Sequence, residues 1–192
     1  MNNYELYTGS ILLLPLAGFI ILSLTGKRFA PRGAGILATV LLAFTTLLSW
    51  IVAYGYFFEF GKRSGIYQPC RLMDFQWLPF TDTLSINVGM TLTPIIAMML
   101  IVISTVSLLV HLYSISYMKG EERPGSYFAY LQLFTFSMLG LVMAFNIFQV
   151  YFFWELVGVS SFLLIGFYFK LPAAIAAAKK AFIVTRFADL GF

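Results

Sequence analysis

The sequence predicts an all-α fold, a polytopic bundle of transmembrane helices, and three observations predict it. Hydrophobic residues make up 60% of the 192 and charged residues 10%, whereas a soluble domain carries about 25% charged residues. Uncharged apolar runs recur along the chain at roughly the 18 or more residues that crossing hydrocarbon requires. The Lys and Arg residues sit between those runs rather than in one patch. The net charge of +4 is therefore no sign of a nucleic-acid partner; the partner that composition implies is the lipid bilayer. Cys70 and His111 are each the sole residue of their type. This excludes an internal disulfide, a Cys-rich metal site and a His cluster. Gly33-Ala-Gly35 lacks the rest of any phosphate-binding fingerprint.

The elements follow in order. Tyr7 to Leu24 is the first span. It has no basic leading region or small-residue cleavage site, so it reads as a retained helix and not a signal peptide. Lys27, Arg28, Pro31 and Arg32 follow it. Gly33 to Phe58 is the second span, with Trp50, Tyr54 and Tyr56 suited to an interface. Residues 59–87 form a polar loop outside the membrane. Within it Leu72 to Leu78 and Thr83 to Val88 alternate about Pro79-Phe-Thr-Asp82, which predicts a β-hairpin on the membrane surface. Val88 to Leu112 is the third span, with Pro94 in its first turns. Lys119, Glu121, Glu122 and Arg123 lie in the next loop. Tyr127 to Phe145 is the fourth span and Ile147 to Phe169 the fifth. A sixth helix opens at Pro172 and runs to Phe192 with no stop signal, so the chain reads as the N-terminal part of something longer.

Alternate loops hold Lys27, Arg28, Arg32, Lys119, Arg123, Lys170, Lys179 and Lys180, and the opposite side holds Lys62, Arg63 and Arg71. The positive-inside rule then places the N-terminus on the extracytoplasmic side of a bacterial-type inner (plasma) membrane.

Two places carry chemistry. Glu155 is the one formal charge between Ile147 and Phe169, and an ionised carboxylate in hydrocarbon costs several kcal/mol even on lenient scales, about 3. It must be paired, neutral or used. On the sixth helix Lys179, Phe182, Arg186 and Asp189 are spaced by three, four and three, which places them on one face. Arg186 and Asp189 there are suited to pair with each other and to answer Glu155. The alternative is a structural ion pair that only joins two helices. Lys179 and Lys180 have their own alternative as plain positive-inside anchors, and His111 as a satisfied interfacial histidine. Gly158, at i+3 from Glu155, suits close helix packing, and Trp154 reads as a lipid-facing or core aromatic.

The stretch Tyr127-Phe-Ala-Tyr-Leu-Gln-Leu-Phe-Thr-Phe-Ser-Met138, the Trp154-Glu155-Leu-Val-Gly158 core and Ser161-Phe-Leu-Leu-Ile-Gly166 resemble the subunit L (chain 5) family of proton-pumping NADH-quinone oxidoreductase, respiratory complex I. Ala177-Ala-Lys-Lys180-Ala-Phe-Ile-Val-Thr-Arg186-Phe-Ala-Asp189 and His111-Leu-Tyr-Ser114-Ile-Ser-Tyr-Met118 continue the resemblance. It implies an antiporter-like subunit of inverted helix repeats. Residues 1–126 would supply the first three transmembrane helices with their extracytoplasmic loop, and 127–192 the start of the proton-translocating domain. Glu155 matches the family's buried functional glutamate, Lys180 its lysine before Ala-Phe, and Arg186 and Asp189 the charged pair that supports the glutamate. The matched motif gives His111 a coupling role. The implied partners are the other membrane-arm subunits of complex I. NADH, FMN, iron–sulfur clusters and quinone would belong to those partners, with no cofactor on this chain, which has no ligand set for haem or a cluster. The implied mechanism is charge switching: a lysine that approaches Glu155 keeps its proton, and one that withdraws releases it. A subunit of a multi-subunit Na⁺/H⁺ antiporter, with no redox partner, is the alternative in the broader family.

Overall fold

The computed structural model describes residues 2–25, 31–63, 65–79, 85–189 and 191. Its helices are α1 (Asn2–Thr25), α2 (Pro31–Gly55), α3 (Pro94–Tyr117), α4 (Pro124–Val142), α5 (Ile147–Ile165) and α6 (Pro172–Asp189). A π turn, Tyr56–Phe60, extends α2. Among the described residues the first five helices are long and apolar enough to cross a membrane. Helix α6, with Lys179, Lys180, Arg186 and Asp189, is not among them.

Helix α4 is the hub and packs against α1, α2, α3 and α5. At one end Ile11, Val52, Tyr56, Leu72, Leu100 and Met143 form a buried cluster; at the other Leu22, Ala38, Met118, Phe128 and Leu131 form a second. Helix α6 lies against α5 alone among its close neighbours.

Several boundaries differ from the sequence reading, each for a local reason. The third span does not begin at Val88, because β4 (Ser85–Leu92) takes those residues. It pairs antiparallel with β3 (Cys70–Pro79), with register shifts at Arg71/Met73 and Gln76/Leu78. The α3 helix starts only where Thr93 accepts a hydrogen bond from the Ile96 N–H at 3.3 Å and Pro94 supplies the first helical residue. The fourth span stops at Val142 and not Phe145, since the hairpin takes over its last carbonyls: the Thr91 N–H donates to Met143 O at 3.2 Å, and Met90 bridges Ala144. The fifth stops at Ile165, where the Gly166 N–H closes back on Phe162 O at 2.9 Å. A second small hairpin, β1 (Lys62–Arg63) with β2 (Ile66–Tyr67), was not expected. Its turn uses Gly65 at φ +87°, a conformation that favours glycine. The expected residues Lys27, Arg28, Phe80 to Leu84 (with them the start of the expected Thr83 to Val88 piece), Leu190 and Phe192 lie outside the described residues.

The large hairpin is fastened to the start of α5. Gln149 uses both ends of its amide on one glycine: Nε2 donates to Gly89 O at 2.9 Å, and Oε1 accepts from the Gly89 N–H at 3.3 Å. Asn146 caps α5 by accepting from the Gln149 N–H at 2.8 Å and also donates to Asn87 O. Gly89 itself cannot be larger, because a Cβ there would lie 2.2 Å from Met73 O.

Candidate functional site, a charge cluster between α5 and α6

The residue pairs 162–182, 155–186 and 154–189 are in contact. The numbers rise on one helix as they fall on the other, so α5 and α6 run antiparallel, as their short connection requires. Glu155 is the ninth residue of α5, about 12 Å from its start at 1.5 Å per residue, near the middle of a helix long and apolar enough to cross a hydrocarbon core about 30 Å thick.

Arg186 is the centre of the cluster. Its Nη1 pairs with Glu155 Oε2. Its Nη2 donates to the Glu155 carbonyl at 3.1 Å, and its guanidinium carbon lies 4.8 Å from the centre of the Phe182 ring, a cation–π distance. Asp189 Oδ2 is a second carboxylate, 3.8 Å from Nη1. The side chains of Glu155, Arg186 and Asp189 are 27%, 24% and 13% exposed, so all three are partly buried. Gly158 leaves the room for this: a Cβ there would sit 3.1 Å from Arg186 Nη2. Trp154 Nε1–H donates to Asp189 Oδ1 at 2.8 Å.

The structure thus brings together three of the five expected site residues: Glu155, Arg186 and Asp189. Lys180 does not join them; it stands exposed on α6 with Lys179. His111 belongs to a different helix pair. It is fully buried between α3 and α4, with Nδ1 at 2.8 Å from Ser107 O and its ring 6.1 Å from that of Phe128. The carbonyl makes Nδ1 the protonated nitrogen, and Nε2 has no hydrogen-bond partner among the described residues. Ser114 lies beside it in the same seam, 3.4 Å from the Tyr127 hydroxyl. Sequence reasoning placed Phe182 on the charged face of α6 but missed Trp154 as a member of the cluster. The one available signal was the position of Trp154 mid-span rather than at an interface.

At the far end of α5 the loop before α4 grips the loop before α6. Lys170 Nζ reaches Glu122 Oε2 at 2.6 Å, Tyr168 donates to Glu121 at 3.3 Å, and Arg123 covers the Phe169 ring at 5.4 Å. The Lys170 ammonium, hydrogen-bonded to Glu122, holds that carboxyl below the usual carboxylate range.

Fold and site together define a class, the multi-pass membrane proteins that hold charged groups between apolar helices. Comparison with known proteins makes it particular. Residues 77–128 match the family described as NADH-Ubiquinone oxidoreductase (complex I), chain 5 N-terminus, and residues 144–192 the one described as NADH:quinone oxidoreductase/Mrp antiporter, TM. The NADH-quinone oxidoreductase subunit L of Neisseria meningitidis serogroup A is 41% identical over 194 residues, covering 100% of this chain and 27% of the relative. That of Rhodobacter capsulatus is 43% identical over 192 residues, covering 96% and 26%. The chloroplastic NAD(P)H-quinone oxidoreductase subunit 5 of Mesostigma viride is 37% identical over 198 residues, covering 100% and 29%. The chain belongs to the subunit L/chain 5 family of NADH-quinone oxidoreductases and corresponds to its N-terminal part. It spans about a quarter of the length of these curated relatives, 27% of the first. A solved structure titled as the membrane-bound sulfane sulfur reductase, an archaeal respiratory membrane complex, shares the fold with a TM-score of 0.77 at 19% identity, over 95% of this chain and 34% of that one.

Proposed function

We propose that this chain is part of a proton-translocating membrane-arm subunit of a redox-driven NADH:quinone oxidoreductase, with Glu155 in the ion path. The observation that carries this reading is the pairing of Glu155 with Arg186 across two helices at mid-span depth. An ionised carboxylate and a guanidinium brought so far from water hold each other's charge, and a change in one changes the proton affinity of the other. Arg186 is always protonated, so the proton that moves is carried by Glu155. Asp189 and Arg186 set its field. Lys180, exposed six residues from Arg186, stands toward the cytoplasmic end of α6, and His111 couples from the α3–α4 seam. Redox chemistry belongs to partner subunits in the membrane arm and beyond it, and the N-terminus lies on the extracytoplasmic side. The names of the relatives favour this reading over a stand-alone Na⁺/H⁺ antiporter, although one matched family covers both.

The test is Glu155→Gln in the full-length chain assembled with its partners, with proton uptake and NADH oxidation measured together. Pumping is expected to fall by about a hundredfold, the low end of what a positioned proton-transfer group supplies. Pumping at the wild-type level would remove Glu155 from the path.

A further inference from the structure

Trp154 stands where an indole is not expected. Tryptophans concentrate at the two membrane interfaces, yet Trp154 is the eighth residue of α5, about 10 Å from its start and next to Glu155. No water reaches an indole N–H in hydrocarbon, so that N–H needs a protein acceptor. The acceptor is Asp189 Oδ1 at 2.8 Å. This bond commits one oxygen of Asp189 and leaves the other 3.8 Å from Arg186 Nη1, beyond hydrogen-bond distance. Asp189 and Arg186 share one helix face at i, i+3, where a two-pronged carboxylate–guanidinium pair would otherwise form. Meanwhile the guanidinium meets the Glu155 carboxylate directly and donates to the Glu155 carbonyl. Arg186 therefore sits between two unequal carboxylates, Glu155 in direct contact and Asp189 held by the indole through its other oxygen.

We propose that Trp154 is a positioning residue for proton transfer at Glu155: its N–H holds Asp189 in reserve as a second counter-ion for Arg186. Asp189 stays far enough away not to compete while Glu155 is ionised and near enough to answer Arg186 when Glu155 takes up a proton. A guanidinium left alone in hydrocarbon is costly, and the reserve carboxylate removes that cost from the protonation step. The other ionisable groups on the helices packed against α5 stand apart. Lys179 and Lys180 are exposed, seven and six residues from Arg186 on α6. Helix α4 has no charged residue from Pro124 to Val142, and its Tyr127 and Tyr130 lie in its first two turns.

The inference rests on the reading of Glu155 as the proton carrier, and the experiment separates the two. In the full-length chain assembled with its partners, protons pumped per NADH oxidised are measured across pH for wild type, W154F, D189N and W154F/D189N. W154F keeps a ring and removes the donor. Asp189 then closes on Arg186, Glu155 keeps its proton to higher pH, and the alkaline limb of the pumping profile moves up by about one pH unit. D189N keeps a carbonyl acceptor for the indole and removes the charge, so the limb moves in the opposite direction. The double variant follows D189N, because no charge is left for the indole to restrain. An unshifted W154F profile, or a W154F shift that persists in the D189N background, overturns the proposal. If W154F fails to assemble, W154L, which also removes the donor, takes its place: the same alkaline shift, lost in the D189N background, supports the proposal, and an unshifted profile overturns it. Wild-type pumping by E155Q would instead overturn the reading of Glu155 itself.

Discussion

Helix α4 and the α5–α6 pair both carry polar groups into the hydrocarbon, and they settle them differently. On α4 the groups are neutral. Thr135 and Ser137 donate to carbonyls one turn back, at 3.0 Å to Leu131 O and 2.7 Å to Leu133 O. Gln132 donates to Ala38 O on α2 at 2.8 Å. The same device recurs at Thr39, Thr46 and Ser49 on α2 and at Ser104 on α3. A hydroxyl needs only its own helix, so it can be buried without dictating what packs beside it. A carboxylate has no donor on its own helix interior, where every N–H is already used. Glu155 therefore requires a second helix that carries a cation at one height and one rotation. The buried position of α4 follows from apolar packing, whereas α6 meets α5 through charge as well as through the Phe162–Phe182 contact.

The largest effect should come from breaking the charge pairing. R186A leaves Glu155 without its cation and should destabilise the full-length protein by about 3–5 kcal/mol, with most of that recovered in E155A/R186A. S137A, on the neutral side of the comparison, should cost about 1 kcal/mol or less. Thermal unfolding in detergent ranks the three, and an R186A cost no greater than that of S137A would break the comparison. Next comes packing where the two regions meet. A Cβ at Gly140 would lie 2.2 Å from the Phe153 ring, so G140A should cost about 1–3 kcal/mol as an overpacked contact, measured in the same way. It sharpens the comparison by showing that α4 is held by fit. The smallest effect belongs to the exposed Glu122–Lys170 pair. Its carboxyl is held below the usual range by Lys170, so its contribution is present above the unfolded value and is lost as pH falls through the lowered one. Spin-label distances between the two loops should stay constant near neutral pH and lengthen only in acid, and K170A should remove that acid step.

The six helices were legible because uncharged runs and loop prolines mark them, and the charged face of α6 because three- and four-residue spacing is unambiguous on a helix. The start of α3 was not, since Val88-Gly-Met-Thr-Leu92 is as apolar as a helix and only strand pairing with β3 distinguishes it. The bond between Trp154 and Asp189 spans 35 residues, a separation over which no local pattern acts. Lys180 was read as part of the path from its family motif, and its exposure is a tertiary fact that spacing does not carry.

The grip of Gln149 and Asn146 on the β3–β4 hairpin makes the first turn of α5 a pivot. A piston-like slide of α5 along its axis would have to tear three hydrogen bonds from strand backbone, whereas a swing of its lower half about that anchored turn breaks none of them. Motion that separates Glu155 from Arg186 is thereby channelled into tilt, and a tilt of a few degrees is amplified with distance from the pivot.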